Sequence, residues 1–396
     1  MVWKATSIVE QREEFARLAS VAGANMSELC ERFGISRTSG YKWLARFRAD
    51  GRGGLRDQSR RPQTNPTRTA ALIEQRVVEL RQQHPAWGGR KLRTRLRALQ
   101  AVAEKELPSA STITEILRRH QLLDAGESAK HQPFTRFERP RPNDLWQMDF
   151  KGHFAVTRGG RCHPLTVLDD HSRFVVALRA CENEQAVTVQ AALSDVFRRY
   201  GLPNQMLTDN GSPWGDSGQS SHTGLSVWLL RLGIGVTHGR PYHPQTQGKD
   251  ERFHRTLTVE LLCRMSAVDV PACQPHFDRF REEYNHERPH EALGLATPIS
   301  RYQVSPRVFP ETLPPIEYGS DLTVRKVSDK GWLSYHSRRF NVGQAFEGLS
   351  VGLRPAPEGP DGWIEVRFCQ HRLGHLNLHD PHQERLIRHR NPESSP

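Results

Sequence analysis

The sequence lacks the features that place a chain in a membrane or in a secretory pathway. Its 396 residues contain no apolar run approaching the about 18 residues that a membrane-spanning helix requires. The first few residues lead into a charged stretch, which is not the pattern of a signal peptide. We therefore expect a cytoplasmic protein that makes no contact with a membrane.

Cysteine is scarce and follows no pattern. The six cysteines, at positions 30, 162, 181, 263, 273 and 369, include no C-x-x-C spacing. Close cysteine pairs are typical of zinc sites, and dense sets of cysteines are typical of disulfide frameworks. We therefore expect reduced thiols, as in cytosolic proteins, and no zinc site.

Net charge is absent from most of the chain. Residues 143–396 contain 29 basic and 29 acidic residues, whereas residues 1–142 contain 27 basic and 15 acidic residues. The whole net charge of +12 therefore lies in the first 142 residues. This concentration predicts a nucleic-acid-binding region. A merely solubilising surface is the alternative, and it is disfavoured because the rest of the chain is expected to stay soluble at zero net charge.

Residues 8–50 have the pattern of three short helices around a glycine turn. Apolar side chains recur at helical spacing, the second helix begins near Ser27, and Ser36 caps a third helix that directs Tyr41, Leu44 and Phe47 inward. This pattern is typical of a helix-turn-helix DNA-binding domain, and an ordinary three-helix bundle is the alternative. The candidate DNA contacts of the third helix are Arg37, Thr38, Lys42 and Arg46.

Residues 51–68 form a basic linker that is rich in Gly, Arg and Pro. Small residues and arginines fit a narrow minor groove, and a disordered linker is a compatible interpretation. The candidate DNA contacts of the linker are Arg52, Arg56, Arg60 and Arg61.

Residues 69–123 repeat the helical pattern and predict a second helix-turn-helix-like domain. Its middle helix is basic and amphipathic, with Leu92, Leu96 and Leu99 on one face. Arg90 and Lys91 are the candidate DNA contacts there. A second linker, residues 124–143, is rich in Pro and Arg toward its end and leads to the next domain.

Residues 144–300 predict a central α/β core. Apolar runs at 145–150, 163–169 and 173–180 indicate three consecutive strands, followed by alternating helices and short strands. Antiparallel strands followed by this alternation are typical of a ribonuclease-H-like fold. Residues 316–376 alternate between turns and short strands and predict a small β-barrel, and residues 380–396 predict a disordered tail.

Three carboxylates of this core have contexts suited to metal binding. Asp149 lies in the first strand, Asp209 ends a short strand before a turn, and Glu251 lies near the start of a helix. If the three side chains converge, they could hold two Mg²⁺ ions and act on a phosphodiester. For Asp209 the alternative is an Asx turn. For Glu251 it is an i,i+4 pair with Arg255.

Glu251 is chosen over its neighbour Asp250 on helical geometry. At about 100° per residue, Phe253, Leu257 and Leu261 form one apolar stripe of the helix. Asp250 falls within the sector of that stripe, and Glu251 points away from it. Asp250 is therefore interpreted as an end-of-helix residue near the positive end of the helix dipole.

The loop before this helix combines rigid, flexible, aromatic and basic residues. Its His243 could contact a scissile phosphate or merely pack against the protein. Lys249 and Arg252 are stronger candidates for phosphate contacts.

Five motifs in order identify a family. They are Leu145-Trp146-Gln147-Met148-Asp149-Phe150, Asp169-Asp170-His171-Ser172-Arg173, Leu207-Thr208-Asp209-Asn210-Gly211, His243-Pro244-Gln245-Thr246-Gln247-Gly248-Lys249-Asp250-Glu251-Arg252, and Tyr284-Asn285 followed by Arg288-Pro289-His290. The chain resembles bacterial insertion-sequence transposases with a retroviral-integrase-like DDE catalytic core. It departs from the family at Asp250, where an apolar residue is common. Retroviral integrases also carry an N-terminal zinc module, which helix-turn-helix replaces in this sequence.

The resemblance implies that Asp149, Asp209 and Glu251 are the catalytic triad and the ligands of two Mg²⁺ ions, for which Mn²⁺ could substitute. It also implies binding to the terminal inverted repeats of an insertion sequence, cleavage and strand transfer into target double-stranded DNA, a homo-oligomer, and a bacterial, nucleoid-associated location. Two alternatives remain open: a DNA-binding regulator with an inactive core, and a nuclease that hydrolyses without strand transfer.

Overall fold

Residues 7–58, 68–123, 138–215, 222–239, 248–357 and 359–387 are described by a computed structural model of the chain. The chain divides into two units, Met1–Arg68 and Thr69–Pro396. Within the described ranges, no helix is both long enough and apolar enough to cross a membrane.

Each α-helix of the first unit begins after a polar residue whose side chain caps it. Helix α1 (Ile8–Ala19) is capped by Ser7, α2 (Met26–Arg32) by Asn25, and α3 (Arg37–Asp50) by Ser36. These side chains accept hydrogen bonds from backbone amides of the first turn, which stabilises the helix ends. The predicted cap at Ser36 is confirmed, whereas α2 begins before Ser27 because Asn25 takes the capping position.

Helix α3 packs against α2 through a glycine. A Cβ atom at Gly40 would lie 2.6 Å from Sγ of Cys30 and 2.9 Å from the ring of Phe15. The buried stripe of α3 therefore contains Gly40 and Leu44, one turn apart. The prediction that Tyr41 faces inward is wrong: this residue is 58% exposed, because Gly40 takes the inward position.

The start of the predicted linker is folded. Gly51–Leu55 form a 3-10 helix that packs on α1 and α3, and Leu55 is fully buried. Nη1 of Arg12 donates to the carbonyl oxygen of Leu55 at 2.8 Å. A linker beginning at residue 51 is therefore a wrong prediction, because burial of Leu55 holds this segment against α1 and α3. Residues 59–67 lie outside the described residues.

Three further helices open the second unit: α4 (Ala71–Gln83), α5 (Gly89–Ala98) and α6 (Ala110–Arg119). Their shared core consists mainly of Val77, Leu80, Trp87, Leu92, Leu96, Ile113, Ile116 and Leu117. Leu99, predicted to share one face of the helix with Leu92 and Leu96, is not buried with them in this core. Leu99 caps the end of α5 and is 49% exposed, although its amide still donates to the carbonyl oxygen of Arg95.

A six-stranded mixed sheet forms the centre of the second unit. Its strands are β1 (Trp146–Phe150), β2 (Phe154–Ala155), β3 (Arg161–Asp169), β4 (Val175–Cys181), β5 (Gln205–Thr208) and β6 (Gly235–His238). The order is β2-β3-β1-β5-β6, and β4 also pairs with β3. The early strands pair antiparallel, whereas β1, β5 and β6 pair parallel, as predicted for a ribonuclease-H-like core.

Helices cover both faces of this sheet. Helices α7 (Ala186–Tyr200) and α8 (Gly224–Arg231) pack on one face, with Trp146 and Met148 of β1. Helices α9 (Gly248–Leu257) and α10 (Val270–His286) share a second core with β3 and β4, and a π-helical turn, Thr258–Leu262, follows α9. Because side chains alternate along a strand, Gln147 and Asp149 point to the face opposite Trp146 and Met148.

The last part of the unit is all-β. Strands β7 (Thr323–Lys326), β10 (Ser350–Pro355), β11 (Trp363–Phe368) and β12 (His371–Asn377) form an antiparallel sheet in the order β12-β11-β10-β7. Strands β8 (Trp332–Tyr335) and β9 (Arg338–Asn341) form a separate hairpin. The predicted barrel is not confirmed, because no ladder between described strands joins the sheet and the hairpin into a closed structure.

Part of the predicted disordered tail is ordered by backbone pairing. The isolated bridges Asn341–Arg385 and His375–Ile387 connect it to β9 and β12. Disorder over 380–396 is therefore a wrong prediction for the stretch up to Ile387. These hydrogen bonds are made by the backbone, so charged side chains do not prevent them. Residues 388–396 lie outside the described residues.

The burial of Leu55 generates a prediction about stability. Leu55→Ala removes buried apolar atoms and leaves a cavity, so the first unit should lose about 2–5 kcal/mol of unfolding free energy. Hydrogen exchange of the full chain, read at the amides of α1 and α3, measures the loss. Arg56→Ala, a change at the exposed neighbour, should stay within about 0.5 kcal/mol. Equal protection in the two variants would show that Leu55 is not part of this core.

Candidate active site

Asp149 is fixed near the end of β1 by hydrogen bonds to its main chain and its side chain. It lies opposite Thr166 of β3, whose Oγ1 donates to the carbonyl oxygen of Asp149 at 2.9 Å. Oδ1 of Asp149 accepts from the amide of Phe150 at 2.8 Å. The side chain keeps 27% exposure, which leaves the carboxylate accessible from solvent.

Asp209 follows β5, the strand that pairs in parallel with β1. The register places Trp146 beside Met206 and Gln147 beside Leu207, so both strands approach the same edge of the sheet. Oδ1 of Asp209 accepts from the amide of Gly211 at 3.0 Å, which is the Asx turn considered from the sequence.

The charge of Asp209 acts on the carboxylate of Asp149. Burial raises the pKa of Asp149 to about 6, and the negative charge of Asp209 adds to this rise. The structure therefore brings these two predicted residues together. A divalent cation between them would relieve the repulsion, and carboxylate oxygens are the donors that Mg²⁺ prefers.

The acidic pair at the start of α9 has the arrangement expected from the helical geometry. Asp250 is 2% exposed and faces the interior, whereas Glu251 is exposed. Burial raises the pKa of the Asp250 carboxyl well above its usual value, and Asp149 and Asp170 contribute to the rise. Asp250 therefore lies within electrostatic range of Asp149. In the part of the chain that the structure describes, no three His, Cys, Asp or Glu side chains form a metal-binding cluster, so Glu251 does not join the pair.

Two polar links near Asp149 could not be found from the sequence motifs alone. The ammonium group of Lys249 donates to Oδ1 of Asp170, and the Lys249 side chain is only 17% exposed. Nε2 of His254 lies 2.8 Å from Oγ1 of Thr166. Burial lowers the pKa of Lys249 to about 8 and that of His254 to about 4. Both links connect α9 with the strands that carry or flank Asp149.

The basic residues of α5 face acidic residues of the core. Arg90 pairs with Glu291 at 3.2 Å, and Arg95 pairs with Glu287. Lys91 is half-buried near Arg288, and burial lowers its pKa to about 8. Protein partners therefore occupy much of the basic face that was predicted to contact DNA.

The candidate DNA contacts of the first unit are more exposed to solvent than those of α5. Arg37, Thr38 and Lys42 are exposed on α3, beside the exposed Tyr41. The guanidinium of Arg46 stacks on the ring of Trp43 at 5.1 Å. Among the remaining candidates, Arg52 pairs with Glu13 at 3.2 Å, Arg56 and Arg252 are exposed, and Arg60, Arg61 and His243 lie outside the described residues.

Known protein families match different parts of the chain. An integrase core domain matches residues 139–244, and a second integrase core domain family matches residues 232–298. A helix-turn-helix domain matches residues 11–63 and a homeodomain-like domain matches residues 39–117. Residues 322–384 match the C-terminal domain of IS481 family transposases. In these matches the chain is similar to insertion-sequence transposases that carry an integrase core. As an enzyme, this transposase is a polynucleotidyl transferase with DNA-binding helix-turn-helix domains.

Relatives of the transposase include proteins of other insertion elements. It is 26% identical over 280 residues to an uncharacterised 39.2 kDa protein of insertion element IS476 from Xanthomonas euvesicatoria, covering 70% of this chain and 78% of that protein. It is also 26% identical to an uncharacterised 31.7 kDa protein of IS407 from Burkholderia multivorans, over 40% of this chain and 54% of the relative.

Solved structures with a similar trace include an integrase assembly. The simian T-cell lymphotropic virus intasome in complex with a PP2A regulatory subunit is 16% identical and covers 71% of this chain and 97% of that chain. The TM-score is 0.35, and the assignment does not depend on this likeness.

The raised pKa of Asp149 generates a prediction about pH. The folded chain binds this proton more tightly than the unfolded chain, so ionisation of Asp149 costs folding free energy. The cost develops between about pH 4 and pH 6 and stays constant above that range. Asp149→Asn should therefore raise the unfolding free energy at pH 8, without divalent metal ions, by roughly 1–3 kcal/mol.

Denaturant unfolding at pH 8 and near pH 4 measures this gain, which should shrink at the lower pH. Glu251→Gln is the matched control because it neutralises an exposed carboxylate of the same region. A gain of the same size at both pH values would mean that the charge of Asp149 is not its origin.

Proposed function

We propose that the chain is a DDE transposase that binds the terminal inverted repeats of an insertion sequence and catalyses divalent-metal-dependent cleavage and strand transfer. The observation that carries the proposal is the pairing of Asp149 with Asp209 on neighbouring parallel strands. The charge of Asp209, together with burial, keeps Asp149 in an unfavourable electrostatic environment, which is a feature of functional sites. The integrase core that spans these residues supports the same reaction class.

Asp149 and Asp209 would hold the metal ions together with Glu251. When bound, two Mg²⁺ ions supply activation of the attacking hydroxyl and stabilisation of the entering and leaving oxygens in an in-line displacement. The hydrogen bonds from Thr166 and Phe150 orient Asp149, and the turn at Gly211 orients Asp209. The first attacker is water, and the second is the freed 3′-hydroxyl of the element, so no covalent protein–DNA intermediate is needed.

Glu251 completes the site in this proposal by reorienting its side chain. Its neighbour Asp250 already lies within electrostatic range of Asp149, and Glu251 occupies the same first turn of α9. A long, exposed glutamate can change rotamer at low cost, and a bound cation would attract its charge. The helix itself therefore need not move.

We assign DNA recognition mainly to the exposed residues of α3, with Arg37, Thr38 and Lys42 directed to the element ends. Arg252 is proposed to contact a phosphate near the reacting strand. The C-terminal all-β part is proposed to hold flanking or target DNA. Because two ends must be joined in concert, the active form is proposed to be a homo-oligomer.

A DNA-binding regulator with an inactive core is the second candidate function. The separation of Glu251 from the pair formed by Asp149 and Asp209 favours it. A purely hydrolytic nuclease is the third possibility. Cleavage and joining measured together distinguish the three functions, because a regulator does neither and a nuclease only cleaves.

Glu251→Gln should abolish metal-dependent cleavage and joining while leaving binding to the element ends unchanged. Removing one metal ligand should lower the rate by at least about 10³-fold, since it removes transition-state stabilisation worth several kcal/mol. The measurement is a strand-transfer assay with paired end sequences and Mg²⁺ or Mn²⁺.

Asp250→Asn is the matched control because it neutralises the adjacent acid. It should keep activity within about tenfold of wild type. Loss of joining in Asp250→Asn but not in Glu251→Gln would assign the third ligand to Asp250 instead.

Arg37→Ala should weaken binding to the element ends by about 1–3 kcal/mol if this side chain reads a base edge. Competition between end sequences and random DNA gives the specificity ratio, which should fall with the affinity. Arg17→Ala on α1, also exposed, is the control and should leave the specificity ratio unchanged. An equal effect of the two changes would place the recognition surface elsewhere.

A further inference from the structure

The first turn of α9 is tied to the central sheet by an ion pair with a buried aspartate. The ammonium group of Lys249 donates to Oδ1 of Asp170, which is fully buried. Burial on both sides makes the pair insensitive to screening by salt, unlike a surface pair. Removing either partner would leave the other buried without its oppositely charged neighbour, which is costly.

Asp170 connects this lysine to the strand that carries Asp149. Its Oδ1 accepts from Nε2 of Gln147 at 2.7 Å, and its Oδ2 accepts from the amide of Arg139 at 2.8 Å. Gln147 is 2% exposed and lies two residues before Asp149, on the same face of β1. A short polar path therefore runs from Lys249 through Asp170 and Gln147 to the strand of the first carboxylate.

A second contact holds the same helix five residues further on. The hydroxyl of Thr166 donates its only proton to the carbonyl oxygen of Asp149, so Nε2 of His254 donates to Thr166 Oγ1. His254 is buried, as is Thr166. Glu251 lies between Lys249 and His254 on α9, so the two contacts flank it.

We propose that Lys249 is a positioning residue whose ion pair with Asp170, together with the His254–Thr166 hydrogen bond, seats α9 so that Glu251 can reach the metal site. The inference rests on the proposed function and assigns Lys249 a role other than phosphate contact. Its amine already has a charged partner in the protein, and only a small part of its side chain is open to solvent. Arg252, exposed on the same turn, is the residue available to a phosphate.

The two roles of Lys249 predict opposite effects of a change at its partner. If Lys249 seats α9, Lys249→Gln and Asp170→Asn should have the same consequence, because each breaks one pair. If Lys249 contacts DNA, Asp170→Asn should release the amine and tighten DNA binding. Loss of a phosphate contact should also reduce the slope of log affinity against log salt concentration by about one.

The experiment uses the full chain and compares Lys249→Gln, Asp170→Asn and the double variant with Arg252→Gln. Mn²⁺ titration by calorimetry measures the affinity of the metal site. Hydrogen exchange of the α9 amides measures how firmly α9 is held on the sheet. DNA affinity at several salt concentrations measures the number of phosphate contacts. Each single variant should weaken Mn²⁺ binding at least tenfold and speed α9 exchange, with the salt slope unchanged. Arg252→Gln should leave Mn²⁺ binding and α9 exchange unchanged and lower the salt slope.

The double variant addresses the risk that a single variant fails to fold. It removes both buried charges and lets two amides hydrogen bond, so it should fold and recover Mn²⁺ affinity to within about threefold of wild type. Unchanged α9 exchange in all three variants would overturn the proposal, as would a lower salt slope in Lys249→Gln with normal Mn²⁺ binding. If the single variants exchange faster at α9 but the wild-type chain itself binds no Mn²⁺ and cleaves no DNA, the proposed function is refuted. The seating role of Lys249 is then retained.

Discussion

The parallel pairing of β1 with β5 is the constraint on which the candidate site depends. It brings Asp149 and Asp209 to one edge of the sheet although a hairpin, a further strand and a helix separate them in the sequence. Backbone hydrogen bonds of the two strands offset the cost of placing two carboxylates close together, and burial enlarges that cost at Asp149. An electrostatically unfavourable pair on a rigid frame is well suited to a doubly charged cation, because the frame cannot relax to separate the charges.

The periodicity of the sequence was sufficient to predict strand β1 and the direction of several side chains on β1 and α9. The alternation around Asp149 predicted β1, and the spacing of Phe253 and Leu257 predicted that Asp250 faces inward while Glu251 points outward. Periodicity could not predict the pair between Lys249 and Asp170, because it does not tell which distant acid a lysine meets. Periodicity also placed Tyr41 inward, because it does not show that Gly40 permits a closer contact between helices.

Amino-acid composition predicted which region of the chain is basic. It could not predict which acidic residues pair with the basic side chains of that region. Arg90, Lys91 and their neighbours on α5 contribute to the positive excess, yet Arg90 and Arg95 pair with acids near the end of α10 and beyond it. Glu260 in the π-helical turn is bound on two sides, by Arg288 and by the indole of Trp87. The second helical domain is therefore attached to the catalytic core by charge, and a count of basic residues overstates the surface that it offers to DNA.

Opposing interactions set the position of α9. Among the described residues, Oδ1 of Asp250 has no hydrogen-bond partner although it is buried, so this side chain opposes the seating of the helix. Phe253 and Leu257 favour seating through burial, and the polar contacts of Lys249 and His254 fix its register on the sheet. An apolar residue in place of Asp250 would strengthen the packing but remove a carboxyl group near Asp149. The chain thus keeps a high density of carboxylates where a cation is expected, and the contacts on either side of Glu251 compensate for the resulting loss of packing.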